Sequence, residues 1–136
     1  MPDPSRRALL ACLLLLPAMA GHAQPAPAPV GAWVVEALGG AVPAGAGRRP
    51  DITFGDAGRV HGGSGCNRFM GGYTLDGAAL RFGALAGTRM ACEAPAMDLE
   101  QRFLDALASV RGWRADGAAL LLTDAGGATL LRLVRG

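Results

Sequence analysis

The chain has 136 residues, 13 basic and 11 acidic, for a formal net charge of +2, and is shorter than the ~150 residues expected per domain. It contains no lysine, and without Arg6, Arg7 and Asp3 the basic and acidic counts fall to 11 and 10, a net charge near +1. That balance argues against a nucleic-acid binder, which normally presents a basic patch and a high domain pI.

Residues 1–23 read as a cleavable secretory signal peptide. Arg6 and Arg7 form a basic start, Ala8 to Leu16 an apolar stretch, and Gly21-His22-Ala23 a small-residue cleavage site before Gln24; an alternative cut follows Ala20. The apolar run is about a dozen residues, short of the ~18 needed to span a bilayer, and no other segment is long enough. Leu9-Leu10-Ala11-Cys12 resembles a lipid-attachment box, but too few apolar residues precede it. Cys12 is therefore assigned to the discarded peptide, and no lipid anchor is expected. Residues 24–30, with Pro25, Pro27 and Pro29, read as an extended leader. Removing residues 1–23 from the 136 leaves 113, enough for one domain with a modest hydrophobic core. The expected location is the periplasm or the exterior.

Ala32–Leu38 is rich in β-formers and ends at Gly39-Gly40, and residues 41–50 read as a loop. Asp51–Phe54 and Arg59–Gly62 flank Gly55-Asp56-Ala57-Gly58 as a hairpin. A second hairpin joins Tyr73–Leu75 to Ala79–Phe82 through Asp76-Gly77, a favoured turn dipeptide. One helix is predicted from Pro95 to Val110, with Pro95 at its first position. Ala96, Leu99, Phe103, Leu107 and Val110 form its apolar face. Asp98, Glu100, Gln101, Arg102 and Asp105 take the remaining surface, and Gly112 stops the helix. Trp113-Arg114, Leu120–Thr123 and Thr129–Val134 are strands, with turns at Asp116-Gly117 and Gly126-Gly127. About eight short strands and one helix predict an α+β fold, an antiparallel β-rich curled sheet or partial barrel with the helix packed on it.

The segment densest in special residues is Gly62 to Tyr73. Its glycines imply positive φ angles or close backbone approach, and Asn67 can also adopt the left-handed conformation. It is either a structural corner of the sheet or a ligand loop with exposed N–H groups. Gly65, Asn67, Arg68, Gly72 and Tyr73 are its candidate functional residues. A hydrolase nucleophile elbow fails because position 66 is Cys, and a phosphate-binding loop fails because no Gly-Lys-Ser/Thr exists. His61, Cys66 and Cys92 lack the tight ligand spacing of a zinc site, so no metal and no cofactor is expected. Two cysteines in an exported domain favour a disulfide between Cys66 and Cys92.

Ser64-Gly65-Cys66-Asn67-Arg68-Phe69 with Gly72-Tyr73, then Thr88-Arg89-Met90-Ala91-Cys92, Met97, Glu100 and Phe103-Leu104, resembles the META/HslJ domain family. Trp33 and Leu131-Arg132-Leu133 fit as well, so the resemblance covers residues 31–136. It implies a compact β-rich domain with one packed helix, found in bacterial envelope or secreted proteins, with some members linked to heat shock, drug resistance or virulence. It brings no catalytic residues.

The leading expectation is a monomeric, exported, non-enzymatic module that binds an unidentified envelope component or supports envelope stress tolerance. One alternative is a thiol-dependent enzyme or redox protein using Cys66 and Cys92, although Arg68 is the only evident cationic partner for a reactive thiol. Another is a carrier of a small apolar ligand, lined by Trp33, Phe54, Phe69, Phe82 and Trp113. A filled interior argues against that carrier.

Overall fold

The computed structural model describes Leu14, residues 28–43 and residues 48–136. The expected signal peptide apart from Leu14, both cleavage sites, Cys12 and the leader as far as Pro27 lie outside the described residues. In chain order the elements are β1 (Gly31–Leu38), β2 (Asp51–Phe54), β3 (Arg59–Gly63), β4 (Arg68–Asp76) and β5 (Ala79–Gly87). Helix α1 (Ala94–Ser109) follows, then β6 (Gly112–Asp116), β7 (Ala119–Thr123) and β8 (Thr129–Arg135).

Each strand pairs antiparallel with the next, and β8 returns to β1, so the sheet closes into a ring. The expected curled sheet is thus correct in kind, but it closes instead of stopping as a partial barrel. The closing seam runs from Trp33↔Arg135 to Leu38↔Leu131. The thinnest seam is β5–β6, with the single pair Ala79↔Gly112. Helix α1 is the connection between those two strands.

Alternation turns one face of each strand inward. On β1, Trp33 and Val35 are buried; a register shift between Val35 and Ala37 then brings Leu38 inward as well, the usual effect of a bulge. All five residues of β7 are buried. Leu121 on its outer face is flanked in register by Arg114 and Arg132, whose aliphatic stems can cover it.

The predicted apolar face of the helix is the buried one: Ala96, Leu99, Phe103 and Leu107 lie inside, followed by Val110. The Phe103 ring meets Phe69 at 5.7 Å between centroids. Two boundaries differ from expectation. Glu93 is the N-cap, so Pro95 takes the second helical position, and the helix ends at Ser109 because Val110 is already extended. Gly112 begins β6 instead of stopping the helix.

The ring interior is filled. Trp33, Phe54 and Phe69 are no more than 3% exposed, while Phe82 and Trp113 pack against the same cluster from its edge. These five side chains are core packing, which removes the expected lining of an apolar ligand chamber.

The hairpin turns are tighter than the sequence suggests. Asp76 pairs with Ala79 and Asp116 with Ala119, so the loops are Gly77-Ala78 and Gly117-Ala118. Gly77 (φ 56°) and Gly117 (φ 58°) have positive φ and the alanines do not, the pattern of a turn with glycine in its first central place.

Candidate functional site

The segment read as a glycine-rich loop divides in two. Ser64–Asn67 is a corner between β3 and β4, whereas Arg68–Tyr73 is already strand. Gly71 is needed for close approach: a Cβ there would stand 2.7 Å from the Ala84 carbonyl across the β4–β5 pair. Gly65 takes the positive φ (+104°) that turns the corner, and a Cβ would press on Leu99 of α1 at 3.3 Å. Asn67 does not use the left-handed conformation open to it; Ala57 is the only non-glycine with positive φ among the described residues.

Asn67 is the hub of the corner. Its Nδ2 donates to the Met90 carbonyl at 3.2 Å and to Glu100 Oε2 at 3.1 Å. Its Oδ1 accepts from the Met90 N–H at 2.7 Å and from the Thr88 hydroxyl at 2.9 Å. Its own N–H donates to Glu100 Oε1 at 2.9 Å. Both donors and both lone pairs of the amide are therefore engaged. The buried Ser64 hydroxyl donates to the Glu100 carboxylate, with the Asn67 carbonyl at 2.9 Å as a second acceptor.

Glu100 is where the surface expectation fails. The helix period leaves it beside the apolar face, and the corner, 33 residues earlier in the chain, receives its carboxylate. Burial by itself would raise its pKa; hydrogen bonds from Ser64 and from the Asn67 side chain and backbone outweigh burial and hold it below the ordinary value of 4.5. The charged form is thus the one the corner is built around.

Cys66 and Cys92 join as a disulfide across the same corner, with Cα atoms 6.0 Å apart. The bond ties the corner to the segment entering α1 and takes up both sulfurs that a metal or a thiol nucleophile would require. Among the described residues no group of His, Cys, Asp and Glu is placed to hold a metal ion. His61 is exposed on β3, opposite Thr53 and Met70.

The structure distributes the remaining candidate residues. Tyr73 donates its hydroxyl to the Gly55 carbonyl at 2.7 Å and meets the Phe54 ring edge-on, so it latches the β2–β3 turn. Gly72 stands opposite Arg59 in the β3–β4 pair. Arg68 is pinned through its backbone, with its N–H 3.1 Å from the Thr88 hydroxyl and its carbonyl 3.0 Å from the Thr88 N–H; its side chain is exposed. Gly65, Cys66, Asn67 and Arg68 share the wall of a surface cleft of about 520 Å³. Gly72 and Tyr73 lie along a different, shallower groove. Arg48 and Arg49, which read only as loop residues, also line the larger cleft. Their adjacency to Pro50 and β2 is the sole sequence sign of a fixed position. No helix among the described residues is long and apolar enough to cross a membrane.

A family model described as META domain matches residues 27–136. Among solved structures, an NMR structure of a protein from Burkholderia xenovorans is 31% identical at a TM-score of 0.64, covering 78% of this chain and 81% of that one. A second NMR structure is 27% identical at a TM-score of 0.59, covering 79% and 94%. A crystal structure of a DUF4847 family protein from Bacteroides vulgatus, 20% identical at a TM-score of 0.50 over 64% and 59%, shares the fold. No curated protein sequence matches the chain.

Proposed function

The chain belongs to the META domain family, and we propose that it is an exported, non-enzymatic binding module that engages a component of the bacterial envelope or supports the envelope under stress. The observation that carries this reading is the use made of its reactive groups. Cys66 and Cys92 are spent on a disulfide, and Ser64, Asn67 and Glu100 bond to one another. With the ring interior filled, the surfaces left for recognition are open clefts whose walls the disulfide and the Asn67 hub hold in place. A bond of this kind belongs to an oxidising compartment, in keeping with the signal peptide expected at residues 1–23.

Fractionation of cells expressing the full chain, with intact-mass measurement, tests the proposal. The expected product is periplasmic or secreted, begins at Gln24, carries no lipid, keeps the disulfide and is retained on isolated envelopes. A cytosolic chain with free thiols would sink the reading, and so would an exported chain that ignores envelopes.

A further inference from the structure

The cleft of about 520 Å³ opens where three segments meet: residues 48–51 at the start of β2, the Ser64–Asn67 corner, and the N-terminus of α1. Arg48, Arg49 and Arg68 line it together, all three exposed. Among the described residues, arginine side-chain bonds belong to Arg102, Arg111, Arg114, Arg132 and Arg135, and none to the three in the cleft.

Two carboxylates, Asp51 and Glu93, share the lining. Each has a reason internal to the fold. A Cβ added at Gly63 would stand 2.9 Å from Asp51 Oδ2, so this carboxylate lies against the β3 backbone. Glu93 is the N-cap of α1, where negative charge is favoured by the helix dipole. Among the described residues the three guanidinium groups make no such internal bond, and three of them against two carboxylates give the lining a net positive charge.

We propose that this cleft binds a phosphate group, carried by a soluble phosphate compound or by a phosphorylated lipid headgroup. Guanidinium forks match the tetrahedral oxygens of phosphate bidentately. A phosphate monoester offers three terminal oxygens and up to two charges, so one group can engage more than one arginine and offset the neighbouring carboxylates. A carboxylate ligand, with two oxygens and one charge, does this less well. The N-terminus of α1, capped by Glu93, borders the same cleft, and the arginines supply its net positive charge. Rigid walls favour affinity because little ordering is left to do on binding: the disulfide and the Thr88 bonds already fix the backbone around Arg68. The inference rests on the envelope-binding reading only for where the ligand is met, not for its chemistry.

Titration of the oxidised chain with inorganic pyrophosphate, followed by amide NMR, provides the test. Saturable shifts are expected at residues 63–68 and 93–96, weakening as salt rises. The Arg48→Gln/Arg49→Gln/Arg68→Gln variant should bind about tenfold more weakly at an unchanged melting temperature, a loss expected when charge-assisted bonds are removed. Arg68→Gln alone should give a smaller loss, and Arg114→Gln, bonded elsewhere to Gly127 and Thr129, none. A second arm uses phosphatidylcholine vesicles with and without phosphatidic acid. Retention on the phosphatidic acid vesicles that the triple variant loses identifies a lipid headgroup; pyrophosphate binding without retention identifies a soluble phosphate. The proposal is overturned by no response in either arm, by shifts confined to other surfaces, or by a folded triple variant that binds like the wild type. Fractionation reads export separately, so the cleft and the envelope reading can fail independently.

Discussion

The ring interior and the β3–β4 corner hold the chain by different physics. Inside, Phe103, Leu107, Leu120 and Leu122 are fully buried, and what stabilises them is apolar area removed from water. At the corner a carboxylate, an amide, two hydroxyls and a disulfide bring together residues up to 36 apart in sequence. The first kind of stabilisation is indifferent to redox state and nearly so to pH. The second depends on both, so one small domain combines an unconditional core with a conditional corner.

The comparison can be strained from either side. Phe103→Ala should have the largest effect, about 3–5 kcal/mol, and Leu122→Ala about 2–5 kcal/mol, as for other truncations in packed cores. Denaturant unfolding should give the same loss with and without reductant; a change below ~0.5 kcal/mol for Phe103→Ala would mean that α1 does not anchor the core. Cys66→Ser and Cys92→Ser come next. The closed loop spans a sequence separation of 26, for which chain entropy sets a ceiling of about 3.5 kcal/mol. The two single variants should match, the double variant should add little, and mild reductant should lower the melting temperature of the wild type only. Ready alkylation of one cysteine in the native protein would contradict this.

Asn67→Ala should cost about 2 kcal/mol, because it strands the Met90 N–H and removes the Nδ2 donor from Glu100, while the backbone N–H bond to that carboxylate remains. The smallest effect belongs to Glu100 and is best read as a pH dependence. Its folded pKa lies below the ordinary 4.5, so its contribution is complete above the unfolded value and is lost as pH falls through the folded one. Melting curves between neutral and acidic pH should show that loss in the wild type and a shallower slope in Glu100→Gln. Equal slopes would mean that the corner does not depend on the charge.

What the sequence discloses follows the same division. The hairpins around Gly77 and Gly117 and the apolar face of α1 are local patterns and can be read directly. The first half of β4 and the second half of β5 are not legible, because Phe69 is the one buried residue of the former and the latter offers only the partly buried Leu85. With so few apolar side chains turned inward there is little alternation to detect, and the glycines of β4 further disguise it. The Cys66–Cys92 pair is legible once the chain is expected to be exported without Cys12, which leaves two cysteines. Glu100 is not, since its role depends on where a corner from an earlier part of the chain comes to rest. The convergence of Arg48 and Arg49 on Arg68 is likewise a product of the β2–β3 and β3–β4 pairings and not of a pattern within a single strand.

The seam that closes the ring also sets how the domain meets mechanical load. The start of β1 lies beside the end of β8: Arg135 stacks on Trp33 at 3.9 Å and donates to the Val30 carbonyl at 2.8 Å. A force drawing these two ends apart therefore reaches the antiparallel β1–β8 hydrogen bonds one after another from that end, as in opening a zipper, instead of shearing them all at once. Tension entering through the chain ends meets Arg135 and Trp33 first, while the crosslinked corner lies outside the first bonds to part.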